Sequence, residues 1–203
     1  MLRVGLTGGI ASGKSTVSAM LRDENIPVLA ADPLGHKLME PGQSAYDEVV
    51  REFGKEILAE DGSVDRGKLG TIVFADPAKR ARLNWILHPK IIEAIRQWFK
   101  SLDHPGGPEF AVMEAALIYE ANVQRDVNRV VVCWCTPEQQ LERLITRGLT
   151  EEQAHRRISA QMPVDEKKKL ADLVIDCSGT LEETRHQVAE VIGKLKSANA
   201  AAK

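Results

Sequence analysis

With 203 residues, 43% of them hydrophobic, the chain has apolar material for one sizeable core carrying insertions rather than for several independent domains. A formal net charge of −2 argues against a general nucleic-acid or membrane-surface binder, so positive charge meant for a ligand must be concentrated locally. No apolar stretch reaches the roughly 20 residues of a membrane span, no signal-type segment opens the chain, and three cysteines make a poor disulfide framework, so a cytoplasmic protein is expected.

The chain opens on the apolar run Leu2-Arg3-Val4-Gly5-Leu6, expected as a strand over residues 3–7. It leads straight into Gly8-Gly9-Ile10-Ala11-Ser12-Gly13-Lys14-Ser15, a G-x-x-x-x-G-K-S phosphate-binding loop, and then into a helical pattern over residues 15–21. Glycines let such a loop curl until successive N–H groups point at a polyphosphate, and the helix that follows offers its positive N-terminal end. Lys14 then reaches the β- and γ-phosphates, and the Ser15 hydroxyl is a Mg²⁺ ligand.

Further strands are expected over residues 27–30, 109–113, 129–134 and 173–175, with amphipathic segments between them. That alternation predicts an α/β protein with a five-stranded parallel sheet covered by helices on both faces. Residues 34–100 offer no strand but helical patterns over 44–53, 76–87 and 89–102, which reads as a helical insertion. The turn-rich His104-Pro105-Gly106-Gly107-Pro108 leads back to the core, a second insertion rich in Arg and Lys follows, and the Ala-rich tail after Ser197 is expected to fray.

Ligands of open parallel sheets gather at the carboxyl ends of the strands. Asp32, two residues past one run, is placed to accept a proton from an attacking hydroxyl, or equally to cap a helix ahead of Pro33. Glu114, at the end of another run, is placed to hold the metal ion or its waters, or to be an ordinary strand-end acid. Cys133 and Cys135 share a strand face as small buried apolar residues.

Arg143 and Arg147 are four apart on one helix face, and Arg156 and Arg157 follow after Gly148-Leu149-Thr150, with Thr150 and Gln153 forming a capping-box pattern. Two helices with inward arginines suit a lid over the transferring phosphoryl group, the alternative being a solvated helix with Glu142, Glu151 and Glu152 as their partners. Lys167-Lys168-Lys169 reads as a solvated helical face, with at most Lys167 reaching the site.

The run 5–16 together with Ala31-Asp32 and Leu38-Met39-Glu40-Pro41-Gly42 resembles the dephospho-CoA kinase family. The match continues through Phe53-Gly54, Asp61-Gly62-Ser63-Val64-Asp65-Arg66, Leu87-His88-Pro89-Lys90-Ile91, Arg157-Ile158-Ser159-Ala160-Gln161-Met162-Pro163 and Ile175-Asp176-Cys177-Ser178-Gly179. The resemblance implies transfer of the ATP γ-phosphoryl group to the ribose 3′-hydroxyl of dephospho-CoA, the last step of coenzyme A biosynthesis. It implies a P-loop NTPase α/β/α core over residues 1–33 and 105–200, a helical acceptor-binding insertion over 34–104 and a small lid over 138–170. ATP and Mg²⁺ are the implied cofactors and dephospho-CoA the partner, with neither nucleic acid nor membrane, for a monomer or weak homo-oligomer.

By that resemblance Asp32 matches the catalytic base, Lys14 the loop lysine and Arg143 a lid arginine on the ATP phosphates. Residues 9–16 (Gly9, Ile10, Ala11, Ser12, Gly13, Lys14, Ser15, Thr16), Arg147 and Gly179 fall to the nucleotide, and His88, Pro89 and Arg157 to the acceptor. Three positions depart from the commonest pattern: Ala30 replaces an aspartate, Glu114-Ala115-Ala116-Leu117 stands for an Asp-x-Pro-Leu type sequence, and Cys177 replaces an asparagine near the adenine pocket. A GTPase-type switch is disfavoured: Asp32-Pro33-Leu34-Gly35 fits D-x-x-G, but no N-K-x-D occurs. Another small-molecule kinase would share the core and lid but not the His88-Pro89 motif.

Overall fold

A computed structural model describes residues 1–201 of the chain. Strands β1 (Leu2–Gly8), β2 (Val28–Ala30), β3 (Phe110–Glu114), β4 (Arg129–Trp134) and β5 (Leu173–Asp176) form one sheet in the order β2-β3-β1-β4-β5. Every neighbouring pair is parallel, and each strand lies within one residue of its expected bounds. These strands lack polar alternation because both their faces are covered, so apolar content alone marks them.

The chain divides into two compact units, Met1–Ala30 with the chain from Phe99 onward, and Ala31–Trp98. The expected breaks at 33/34 and 104/105 therefore move. Helix α2 (Ala31–Lys37) starts at the residue after β2, and α5 (Pro77–Leu102) carries the chain across the second boundary without a loop.

In the first unit, Leu2, Val4 and Leu6 of β1 share one sheet face with Phe110, Val112, Val131, Cys133 and Ile175. Helix α1 (Lys14–Asp23) covers them through Val17, Met20 and Leu21, and α9 (Leu181–Ala201) through Val188, Val191, Ile192 and Leu195. Each such apolar side chain, fully buried, contributes about 1.5–3 kcal/mol. The tail expected to fray after Ser197 instead continues α9 to Ala201, because alanine is the best helix former, Ala198 packs on the core and Asn199 is buried. Residues 202–203 of that tail lie outside the described residues.

Helices α6 (Pro137–Thr146), α7 (Glu151–Ser159) and α8 (Val164–Leu170) occupy the second insertion. Thr150 and Gln153 close the expected capping box at 3.1 and 3.2 Å, and Thr136 with Gln139 forms another, unforeseen, with Pro137 in the first turn.

The second unit packs α2, α3 (Tyr46–Phe53), α4 (Arg66–Ala75) and α5 around Leu38, Val49, Phe53, Ile57, Leu69 and Ile86. The helices expected over 76–87 and 89–102 are one 26-residue helix with Pro89 inside it. An interior proline costs about 3 kcal/mol. Here Ile86 and Leu87 before it and Ile91 and Ala94 after it lie on the same apolar cluster, and their burial outweighs that cost. Among the described residues no helix is long and apolar enough to cross a membrane.

Candidate active site

Residues 9–13 turn the chain from β1 into α1 with the carbonyls of Gly9, Ile10 and Ala11 held by protein donors. Gln140 Nε2 donates to Ile10 O at 2.6 Å, Arg143 Nη1 to Ala11 O at 3.2 Å, and the Ser12 N–H to Gly9 O at 3.2 Å. Gln161 Oε1 accepts the Ile10 N–H at 2.8 Å. Among the described residues, the N–H groups of Ala11, Gly13, Lys14 and Ser15 find no protein acceptor, and the Ser12 hydroxyl, 1% exposed, has no partner either. Donors converging at a helix N-terminus with no protein acceptor fit a polyphosphate. Two glycines are sterically required: a Cβ on Gly8 would overlap the Cys133 carbonyl oxygen, and Gly13 combines φ +97 with Cys177 packed against its α-carbon.

Lys14 lies under this loop. Its Nζ donates to Glu114 Oε1 at 2.8 Å, and Ser18 Oγ donates to Glu114 Oε2 at 2.7 Å, with Arg22 at 3.9 Å. Glu114 is set there by register, paired with Leu6 on one side and Ala30 on the other, at the carboxyl end of the sheet. Burial pushes its carboxyl up, but the hydrogen bonds from Lys14 and Ser18 and the Lys14 and Arg22 charges outweigh it and hold the carboxyl below its ordinary value. Both Glu114 oxygens are thus engaged by protein donors, and Ser15, at the start of α1, is exposed. Among the described residues no group of three or more His, Cys, Asp or Glu side chains could hold a metal ion.

Beside the loop a cleft of about 280 Å³ is lined by Ala11, Gly13, Thr16, Arg143, Arg147, Cys177, Gly179, Leu181 and Thr184. Arg143 spans it, its Nη2 donating to Cys177 O at 2.7 Å while Nη1 holds the loop. Arg147 is the C-cap of α6 rather than part of its last turn, yet lines the same cleft. Arg157 is exposed on α7 and does not line it, and Arg156 pairs with Glu152 at 3.9 Å on the surface.

The three thiols are free and buried, and Cys135 lies one residue past β4. A hydrogen bond from Cys133, assisted by the Arg143 charge and opposed by burial, draws the Cys177 thiol below its ordinary value, while burial pushes Cys135 up to about 11.

In the second unit, Asp32 is exposed in the first turn of α2 rather than at its cap. One turn on, burial first and then the Arg66 charge hold the His36 imidazole below its usual value, with Asp32 pulling the other way. His88 and Pro89 are exposed in mid-helix on α5. Nearby, Lys90 pairs with Glu48 at 2.8 Å, and Arg82 lies over the exposed Trp85 ring at 4.4 Å.

Some polar residues around the loop escaped the sequence reading. Gln140 had a signal, because it shares a helix face with the buried Leu144. Lys167, expected in a solvated face, is fully buried in line with Val164, its Nζ donating to Ala116 O at 2.6 Å and pairing with Glu120 at 2.9 Å. Gln161 had no periodic signal, only its place in the 157–163 segment.

The family model described as Dephospho-CoA kinase matches residues 2–183. The chain belongs to the dephospho-CoA kinase family. A family member from Carboxydothermus hydrogenoformans is 44% identical over 194 residues, which cover 95% of this chain and 94% of the relative. The solved dephospho-CoA kinase from Campylobacter jejuni is 27% identical, covers 97% of this chain and 98% of its own, and superposes with a TM-score of 0.75. A solved protein from Thermus thermophilus gives a TM-score of 0.79 at 30% identity, over 96% and 97% of the two chains. Family membership makes the chain an α/β kinase of P-loop fold.

Proposed function

We propose that this protein phosphorylates the ribose 3′-hydroxyl of dephospho-CoA with ATP, giving coenzyme A and ADP, as the final step of coenzyme A biosynthesis. The observation that carries the reading is the cradle of unpaired loop donors beside a half-buried lysine, in a chain of this family.

Phosphoryl transfer is catalysed chiefly by positioning and by stabilising charge on the γ-phosphoryl oxygens. The N–H groups of Ala11, Gly13, Lys14 and Ser15 bind the phosphates, with the nucleoside in the cleft lined by Thr16, Cys177 and Gly179. Glu114 and Ser18 hold Lys14 extended toward the loop until phosphate oxygens compete for its ammonium. Ser15 would hold Mg²⁺ together with the phosphates, with the acidic Glu114 nearby, and the ion would neutralise charge between donor oxygens. Arg143 and Arg147 close the phosphate side, with residues 138–170 acting as a lid. Asp32 accepts the proton of the attacking hydroxyl, and His88, Pro89 and Arg157 bind the acceptor. The protein works in the cytoplasm as a monomer or weak homo-oligomer.

ADP release from Mg-ATP, measured with dephospho-CoA, adenosine, AMP or no acceptor, tests the assignment. Turnover confined to dephospho-CoA, with a product heavier by one phosphate, is the expected result. Turnover with adenosine or AMP alone, or hydrolysis indifferent to acceptor, would overturn it.

A further inference from the structure

Of the two peptide planes that meet at Ile10, the first is held at both ends and the second through its carbonyl. In the 9–10 plane, the Ile10 N–H is held by Gln161 Oε1 at 2.8 Å while Gly9 O accepts the Ser12 N–H at 3.2 Å. In the 10–11 plane, Ile10 O is held by Gln140 Nε2 at 2.6 Å. The C=O and N–H of one trans peptide point in opposite directions. Holding Ile10 O outward therefore turns the Ala11 N–H inward, and Ala11 takes the φ of +59 this demands. That N–H has no protein acceptor among the described residues.

Both glutamines are themselves anchored. Gln140 is buried on α6, and Gly9 leaves the space for its amide. The residue after Gln161 is tied down by the Met162 N–H donating to Glu120 Oε1 at 2.9 Å, and Glu120 is paired with the buried Lys167. Ala11 lines the cleft together with Gly13, Thr16, Cys177 and Gly179, and Ile10 lies outside it. A polyphosphate that runs from that cleft across the N-terminus of α1 toward Ile10 passes the Ala11 N–H.

We propose that Gln161 and Gln140 are positioning residues that clamp the Ile10 peptides so that the Ala11 N–H is aimed at the terminal phosphate of the bound triphosphate. The clamp sits on α6 and on the segment just after α7, 21 residues apart, so it joins the α6–α7 segment to the loop at the phosphate being transferred. It rests on the kinase reading above, which supplies the triphosphate.

The test uses Gln161→Met and, separately, Gln140→Met, each close in length but lacking the amide. Affinities for ADP and for a non-hydrolysable ATP analogue are measured by calorimetry beside the wild type, with melting temperature and the KM for dephospho-CoA. Losing a fixed donor to a charged oxygen should weaken the ATP analogue about 5- to 30-fold. ADP affinity and acceptor KM should stay within about 2-fold, since neither samples the terminal phosphate. Equal losses for both nucleotides, or no loss in a folded variant, overturn the clamp. A wild type that discriminates the nucleotides in this way yet does not phosphorylate dephospho-CoA overturns the acceptor assignment alone, and one that binds neither nucleotide overturns both.

Discussion

Replacing Lys167 separates a buried ion pair from ordinary packing. Lys167→Met keeps the length of the aliphatic stem, so no large cavity opens and the loss is polar. Two contacts go: the 2.9 Å pair with Glu120 and the 2.6 Å donation to Ala116 O, which still accepts from Thr7 Oγ1 at 3.2 Å. Breaking a fully buried pair from one side costs about 3–5 kcal/mol. Glu120 is 24% exposed and keeps the Met162 N–H, so water and one donor take back part of that, leaving about 1–3 kcal/mol. For a chain of this size the melting temperature should fall by about 2–10 °C. Glu120→Gln should cost more, because it leaves a cation with no exposed side-chain surface facing only neutral acceptors. The double variant should regain much of the loss, since no uncompensated charge remains. Calorimetric melting of the four proteins decides the matter. A Lys167→Met protein that melts within a degree of wild type, or one less stable than Glu120→Gln, would refute the reasoning.

Asp32→Asn should lower turnover by about 10²- to 10⁴-fold while leaving ATP affinity within about 3-fold in equilibrium binding, and more than half of wild-type activity would rule out a base role. Lys14→Ala should weaken both ATP binding and turnover. It also removes the hydrogen bond that does most to hold the Glu114 carboxyl down. A depressed carboxyl stabilises the fold above its unfolded value and stops doing so as pH falls through the folded one. The stability gap between wild type and Lys14→Ala, followed by urea unfolding, should therefore be widest near neutrality and close in acid; a gap that widens in acid would contradict the pairing. Iodoacetamide followed by mass spectrometry should modify Cys177 before Cys135, since one thiol is drawn down and the other raised to about 11, with ATP slowing the Cys177 adduct. Cys135 reacting first, or no protection by ATP, would argue against that arrangement.

The parts legible from residues alone were those whose chemistry sits in a few consecutive positions. The loop from Gly8 to Ser15 is contiguous, and the five strands are short apolar runs whose bounds shifted by one residue at most. Thr136-Pro137-Glu138-Gln139 carried the same capping pattern as Thr150 to Gln153 and was legible too, though only the second was read. Pro89 misled because a proline marks a break only when the flanking apolar stripes do not continue through it, and here they do.

What remained hidden was the use made of polar side chains at a distance. Lysine at 167 and glutamine at 140 and 161 are surface residues by composition, and their burial depends on partners far along the chain: Ala116 lies 51 residues from Lys167, and Ile10 lies 130 and 151 from the two glutamines. Local sequence settled where the phosphate loop, the strands and the helix starts would be, because glycine sterics, apolar periodicity and capping act over a few residues. Tertiary structure alone settled that Lys14 rests on Glu114, 100 residues away, and that side chains from α6 and the segment after α7 hold the loop's carbonyl and amide groups in place. Sheet register and helix docking bring those groups within 3 Å or so of each other, and a buried polar group is stable only where such a partner is met.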